Sequence, residues 1–399
     1  MSPIDDVTAR RNARVLACAQ ALGGASPAIV ISLGGLVGQA IATDKALATL
    51  PVSILQLGLA FGTVPAAMLM RRLGRRSGYF VGASFGVLAG CVAALGTAWS
   101  AFALFCAGTF LAGIYGSFVQ SYRFAATDMA SEEFRPRAIS WVMAGGLAAG
   151  IIGPQLVIWT RDLLDVPFAG AFLGQGALAL ASMAILSQLR STKPAPVASA
   201  SGRPLGELAR QPRLLMAIAT GIVSYGLMSF LMTATPIAMV GCGHSVGTAA
   251  LGIQWHILAM YGPSFVTGSL ISRFGKETIT ASGLILIALA AVTGLAGISV
   301  AHFWSGLILL GVGWNFAFIG STSLVTECYR PEERTRVQAL NDFCVFGSVA
   351  IASFTSGKLM AASGWELLNW LVFPPVAGAL ILLYWQSRFR SRSVRLSRA

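Results

Sequence analysis

Three ionisable side chains stand inside otherwise apolar stretches of this sequence, and each is of a type that can hold a charged group or move a proton. Arg123 shares a spacing of i, i+4, i+7 and i+11 with Gly116, Gln120 and Thr127, which gathers the four on one helical face. Such a stripe suits a water-filled cavity, and Arg123 is expected to serve a bound solute or its coupling ion. The bland alternative is a long side chain that snorkels to a nearby aqueous surface. Asp342, beside Asn341, is the carboxylate best placed for a protonation role, with helix capping or pairing to Arg336 as its structural alternative. His256 can exchange protons near neutral pH, although a lone histidine on an apolar helix is more often a packing residue.

Around these lie aromatic and amide side chains: Tyr115, Gln120, Tyr225, Gln254 with Trp255, and Trp314 with Asn315. Asn315, Ile319, Thr322 and Thr326 repeat the spacing of the Arg123 stripe. Together they suit a flat, hydrogen-bonding organic molecule better than an inorganic ion or a multiply charged anion, although any one of them can be a packing or interfacial residue. Enzyme chemistry finds little support. His244, His256 and His302 have no HExxH or triad spacing, and the six cysteines lack CxxC pairs. No segment reads G-x-x-x-x-G-K-[ST], which disfavours direct use of ATP. We expect no cofactor and no metal.

The elements that position these groups follow from composition. Of 399 residues 55% are hydrophobic and only 11% charged, with a mean hydropathy of +0.73, so water is not the main solvent. Apolar runs of about 20 residues, each enough to cross a bilayer, recur near 15–37, 48–70, 78–98, 102–126, 138–160 and 167–189, then near 213–236, 247–271, 278–298, 302–326, 337–361 and 366–388. Residues 190–212, rich in Pro, Ala, Ser and Arg, read as a linker between a first unit at 1–189 and a second at 213–399 that ends in a basic tail. The runs lack the alternation of a membrane barrel, so an all-α integral membrane protein of twelve helices in two six-helix bundles is expected. The first 14 residues carry Asp5 and Asp6 and no cleavage site, so the first helix is expected to stay.

The net charge of +13 is a topology signal rather than a nucleic-acid footprint. With both termini in the cytoplasm, 24 of the 28 Lys and Arg lie on that side, Arg123 lies within a span, and only Lys45, Arg161 and Lys358 fall on the other side, as the positive-inside rule requires.

Two loops repeat. Arg72-Leu73-Gly74-Arg75 recurs 201 residues later as Arg273-Phe274-Gly275-Lys276, and Thr127-Asp128 with Glu133, Arg135 and Arg137 recurs at an offset of 199 as Thr326-Glu327 with Glu332, Arg334 and Arg336. With the six-plus-six organisation, these residues resemble the major facilitator superfamily, whose loop after the second helix reads G-x-x-x-D-R-x-G-R-R. Here Ala67 replaces the glycine and Arg71 the aspartate, and the second copy, from Gly268 to Lys276, has Ser272 at the acidic place. The resemblance implies a secondary transporter working by alternating access, with helices one, four, seven and ten lining the path. It implies gating by state-dependent pairing of Arg72, Arg75 and Arg273, which flank the tight turns at Gly74 and Gly275, with the acids Asp128 and Glu327, where plain anchoring of helix ends is the alternative.

Gly146, Gly150, Gly153 and Pro154 are similar to the fifth-helix motif of proton-linked exporters, though Gln155-Leu156-Val157-Ile158 lacks its trailing glycine pair. Tyr122 to Asp128, with Tyr329 to Arg334 leading to Asn341-Asp342-Phe343, resembles a proteobacterial branch that includes riboflavin importers. Uptake of a planar solute such as riboflavin across the inner membrane, by a monomer and with a proton as candidate coupling ion, is therefore expected. Efflux of drug-like compounds is the alternative. A transporter-like sensor or a membrane enzyme is disfavoured, since neither tails nor linker can hold a soluble output domain.

Overall fold

The computed structural model describes residues 6–131, 133–190, 203–208, 210–330 and 333–396, and among these there is no strand. The first half holds α1 (Asp6–Gly23), α2 (Ala25–Ile41), a 3-10 turn at Lys45–Leu47, α3 (Leu50–Ala98), α4 (Phe102–Gln120), α5 (Tyr122–Ala125), α6 (Arg135–Thr160) and α7 (Ala169–Leu186). A single turn, α8 (Leu205–Leu208), leads to the second half: α9 (Pro212–Gly241), α10 (Val246–Tyr261), α11 (Ser264–Phe274), α12 (Lys276–Ala296), α13 (Val300–Val325), α14 (Arg334–Trp370) and α15 (Phe373–Leu396). The expected linker falls largely on 191–202 and 209, and the end of the basic tail on 397–399, all outside the described residues.

Among the described residues, nine segments are long and apolar enough to cross a membrane. Two of them, Lys45–Ala98 with 54 residues and Arg336–Gln386 with 51, have about twice the length one crossing needs. Each is broken at a glycine with positive φ, Gly74 at 82° and Gly364 at 76°, where a side chain with a Cβ is disfavoured. Beyond Gly74 the chain folds back on itself, since a Cβ on Gly78 would lie 2.7 Å from Cγ of Met70.

Within each half the helices approach closely through small residues. A Cβ on Gly113 would stand 2.1 Å from the Leu55 carbonyl oxygen, so α4 meets the first part of α3 backbone to backbone. Among the described residues the two halves then join chiefly at one end. There α2 packs on α9, α3 on α14, and α6 on α10. One continuous apolar core runs through that end, from Val37 and Val52 of the first half to Met232 and Ile237 of the second. At the end carrying the basic loops, a separate core around Leu16, Tyr79, Tyr122 and Phe134 belongs to the first half alone. Among the described residues the molecule is therefore closed at one end and parted at the other.

Candidate functional site

Between the parted halves lies a cavity of about 430 Å³. Its first-half wall includes Gln20 of α1, Gln56 of α3, Gln120 at the end of α4, Arg123 of α5 and Met143 of α6. Its second-half wall includes Tyr225 and Met228 of α9, Tyr261 of α10, Trp314, Phe318 and Thr322 of α13, and Asn341, Asp342 and Phe346 of α14. Polar groups on membrane-spanning helices are repaid where they face an aqueous interior rather than lipid.

The second-half wall is an aromatic platform. Trp314 and Phe318, one turn apart on α13, stack with centroids 5.1 Å apart and planes inclined by 16°. Tyr225 meets both edge-on, at 5.2 and 5.1 Å, and reaches Phe346 at 5.7 Å. Opposite stand the three glutamines and Arg123, whose guanidinium lies 4.8 Å from the centre of the Phe124 ring. Asp342 accepts a hydrogen bond from Nδ2 of Asn341 at 3.1 Å. Eight residues into α14, it is too deep to cap that helix.

Four residues expected at the site lie elsewhere. Tyr115 is fully buried inside the first half, against Gly23 and Gly86. Asn315 is fully buried against the junction of α10 and α11, donating to the Met260 carbonyl and to Oγ of Ser264 at 2.6 Å and accepting from Oγ1 of Thr267 at 2.5 Å. Gln254 points to the other half, where Oε1 accepts from Nε2 of Gln155 at 2.9 Å. His256 is fully buried, with Nδ1 2.7 Å from the Leu307 carbonyl, so it packs α10 on α13 away from the cavity. Gln20, Gln56, Tyr261, Phe318 and Phe346 take their places on the wall. The lone amides of Gln20 and Gln56 within apolar runs are the signal that could have found two of them.

At the parted end the repeated loops form matching ion pairs. Arg75, just past the Gly74 turn, donates from Nε and Nη2 to the Asp128 carboxylate at 2.9 and 3.2 Å. Lys276, just past Gly275 with φ of 88°, lies 2.8 Å from Glu327, which also pairs with Arg213; Arg213 in turn reaches Glu277 at 3.1 Å. Arg72 and Arg273, expected to pair, are exposed and join none of these ion pairs; they precede the turns and are carried away from the acids. Burial pushes the Glu327 carboxyl up, but the hydrogen bonds from Lys276 and Arg213 outweigh it and leave the group below its ordinary value. Glu333, buried, accepts from Nε and Nη2 of Arg203 at 2.8 Å and from the Arg330 amide, which hold its carboxyl far below the usual range.

The family model described as Major Facilitator Superfamily matches residues 15–353 and, separately, 256–399. Riboflavin transporter RfnT of Brucella anthropi is 58% identical over 95% of this chain and 96% of its own. YdeG of Bacillus subtilis, an uncharacterised MFS-type transporter, is 30% identical over 94% of this chain and 90% of its own. Among solved structures, the nucleoside transporter NupG superposes with a TM-score of 0.73 at 13% identity, covering 94% of this chain and 98% of that one. The peptide transporter PepTSo gives 0.73 at 10% identity, covering 97% and 98%. At those identities the structures speak for the fold.

Proposed function

Because this chain belongs to the major facilitator superfamily, we propose that it carries riboflavin into the cell across the bacterial inner membrane by alternating access. The observation that carries this reading is the 58% identity to riboflavin transporter RfnT over almost the whole length of both chains. The cavity suits such a solute. A tricyclic isoalloxazine plane can lie against Trp314, Phe318 and Tyr225, while its edge carbonyls and imide N–H meet Gln20, Gln56 and Gln120 across the gap.

The chain crosses the membrane twelve times in this reading. Each of the two double-length segments supplies two passes through its glycine break, and α10 with α11 supplies one more. The basic loops and both termini face the cytoplasm, so the parted end is where an imported solute leaves. A coupling proton acts at Asp342, the one carboxylate on the wall among the described residues, and a monomer suffices because both halves come from one chain.

Uptake of labelled riboflavin into a riboflavin-requiring bacterial strain tests the proposal. Expression should restore growth at low external riboflavin and give saturable uptake. Verified membrane expression without rescue or uptake would overturn it.

A further inference from the structure

The cavity wall holds one cation, Arg123 from the first half, and one anion, Asp342 from the second, and no other charged group among the described residues. Both line the same cavity, with Tyr225 and Tyr261 also on its wall, and among the described residues no ion pair joins Arg123 to Asp342. All remaining polar groups on the wall are neutral amides, hydroxyls, phenols and an indole.

Resting on the reading of this cavity as a flavin site, we propose that Asp342 is a specificity-determining residue that admits uncharged flavin and rejects its phosphate monoester. When the halves close around a solute, water leaves and every charge inside acts at a lower dielectric. Selection falls at the binding step, before the coupling proton reaches Asp342, so a neutral solute leaves Arg123 and the ionised Asp342 to balance one another. A phosphate monoester brings about −1.5 to −2 charges near neutral pH. One guanidinium can pair with a phosphate or with a carboxylate, but it cannot neutralise both, and no second cation lies on the wall to take the remainder. Sites that hold phosphates gather several cations or helix N-termini, and this one does the reverse by setting a carboxylate opposite its single arginine.

The test is titration of the purified full-length protein with riboflavin and with flavin mononucleotide, read by quenching of flavin and tryptophan fluorescence. The wild-type protein should bind the phosphate ester about tenfold or more weakly than riboflavin. Asp342→Asn should narrow that ratio by about tenfold, and Arg123→Gln should widen it, because the two substitutions move the cavity charge in opposite directions. Equal affinity of the wild-type protein for both flavins would overturn the proposal, as would a ratio that neither substitution moves. Absence of riboflavin binding by the wild-type protein would instead overturn the functional reading, and the proposal with it.

Discussion

Arg75 grips Asp128 through two hydrogen bonds of 2.9 and 3.2 Å, and this pair returns in the second half as Lys276 and Glu327 at 2.8 Å. Each basic residue stands just past a glycine of positive φ, and each acid just past the helix that ends the fourth or tenth apolar run. The pairs thus lock the turn of each half to its own neighbouring helix end at the parted face. All four side chains are a quarter to a third exposed, so each pair contributes about 1 kcal/mol or less to stability.

Acid should release the second pair. The folded value of the Glu327 carboxyl lies below its ordinary 4.5, so its contribution is complete above that pH and is lost as pH falls through the depressed value. The melting temperature of the wild-type protein in detergent should therefore fall more steeply than that of Glu327→Gln between about pH 5 and about pH 3. Parallel curves would mean that the pair adds nothing to stability.

Gly74 and Gly275 should resist replacement. With φ of 82° and 88° they occupy backbone space that a Cβ disfavours, and Gly275 has no heavy atom within 4 Å of a Cβ, so strain rather than crowding sets the cost there. Gly275→Ala should lower stability by about 1–2 kcal/mol, measured as a drop in melting temperature with uptake tested at a temperature where the variant stays folded. Gly206, also free of neighbours and without positive φ, is the control position, where alanine should leave the melting temperature unchanged.

The apolar runs and the loop repeat were legible because they depend on hydropathy and on chain offset, which a single sequence carries. Arg75 with Asp128 followed from the motif, and applying the same offset of 201 to Arg75 would have reached Lys276 instead of Arg273. Helix rotation was harder to read. Tyr115 precedes Gln120 by five residues, a turn of about 500°, so the two face directions roughly 140° apart. Asn315 shares a stripe with Ile319 and Thr322 but sits at its flank, where the junction of α10 and α11 covers it. The aromatic platform needs α9, α13 and α14 to meet, and the hydrogen bond from Gln155 to Gln254 needs the two halves to meet. Neither meeting leaves a mark in local spacing.

Asp342 and His256 should separate in a pH profile. Asp342 opens on the cavity with Arg123, Tyr225 and Tyr261 as the other titratable groups on its wall, whereas His256 is sealed against the Leu307 carbonyl. In proteoliposomes with an imposed pH gradient, uptake should rise as the outside is acidified, and Asp342→Asn should flatten that response. His256→Gln should keep the shape of the profile and lower thermal stability, since it disturbs a buried contact. A flattened profile in His256→Gln with Asp342→Asn unaffected would reverse the assignment.

The closed end should behave as a gate. Gln155 of α6 donates to Gln254 of α10, and Thr49 donates from Oγ1 to the Ser353 carbonyl at 3.0 Å, both across the boundary between the halves. Opening this end requires both bonds to break, together with the apolar seam in which Gly35 receives Ile237. Cysteines at 155 and 254 should therefore cross-link with a short bifunctional reagent while the cavity stands open at the basic face, halting uptake until a cleavable linker is reduced. Since Cys18, Cys91 and Cys242 are exposed, the pair belongs in a background where they are replaced by serine. Saturating riboflavin cycles the protein through its outward-facing state and should slow the cross-linking. A cross-linked protein that transports at the uncross-linked rate would show that this end does not open during the cycle.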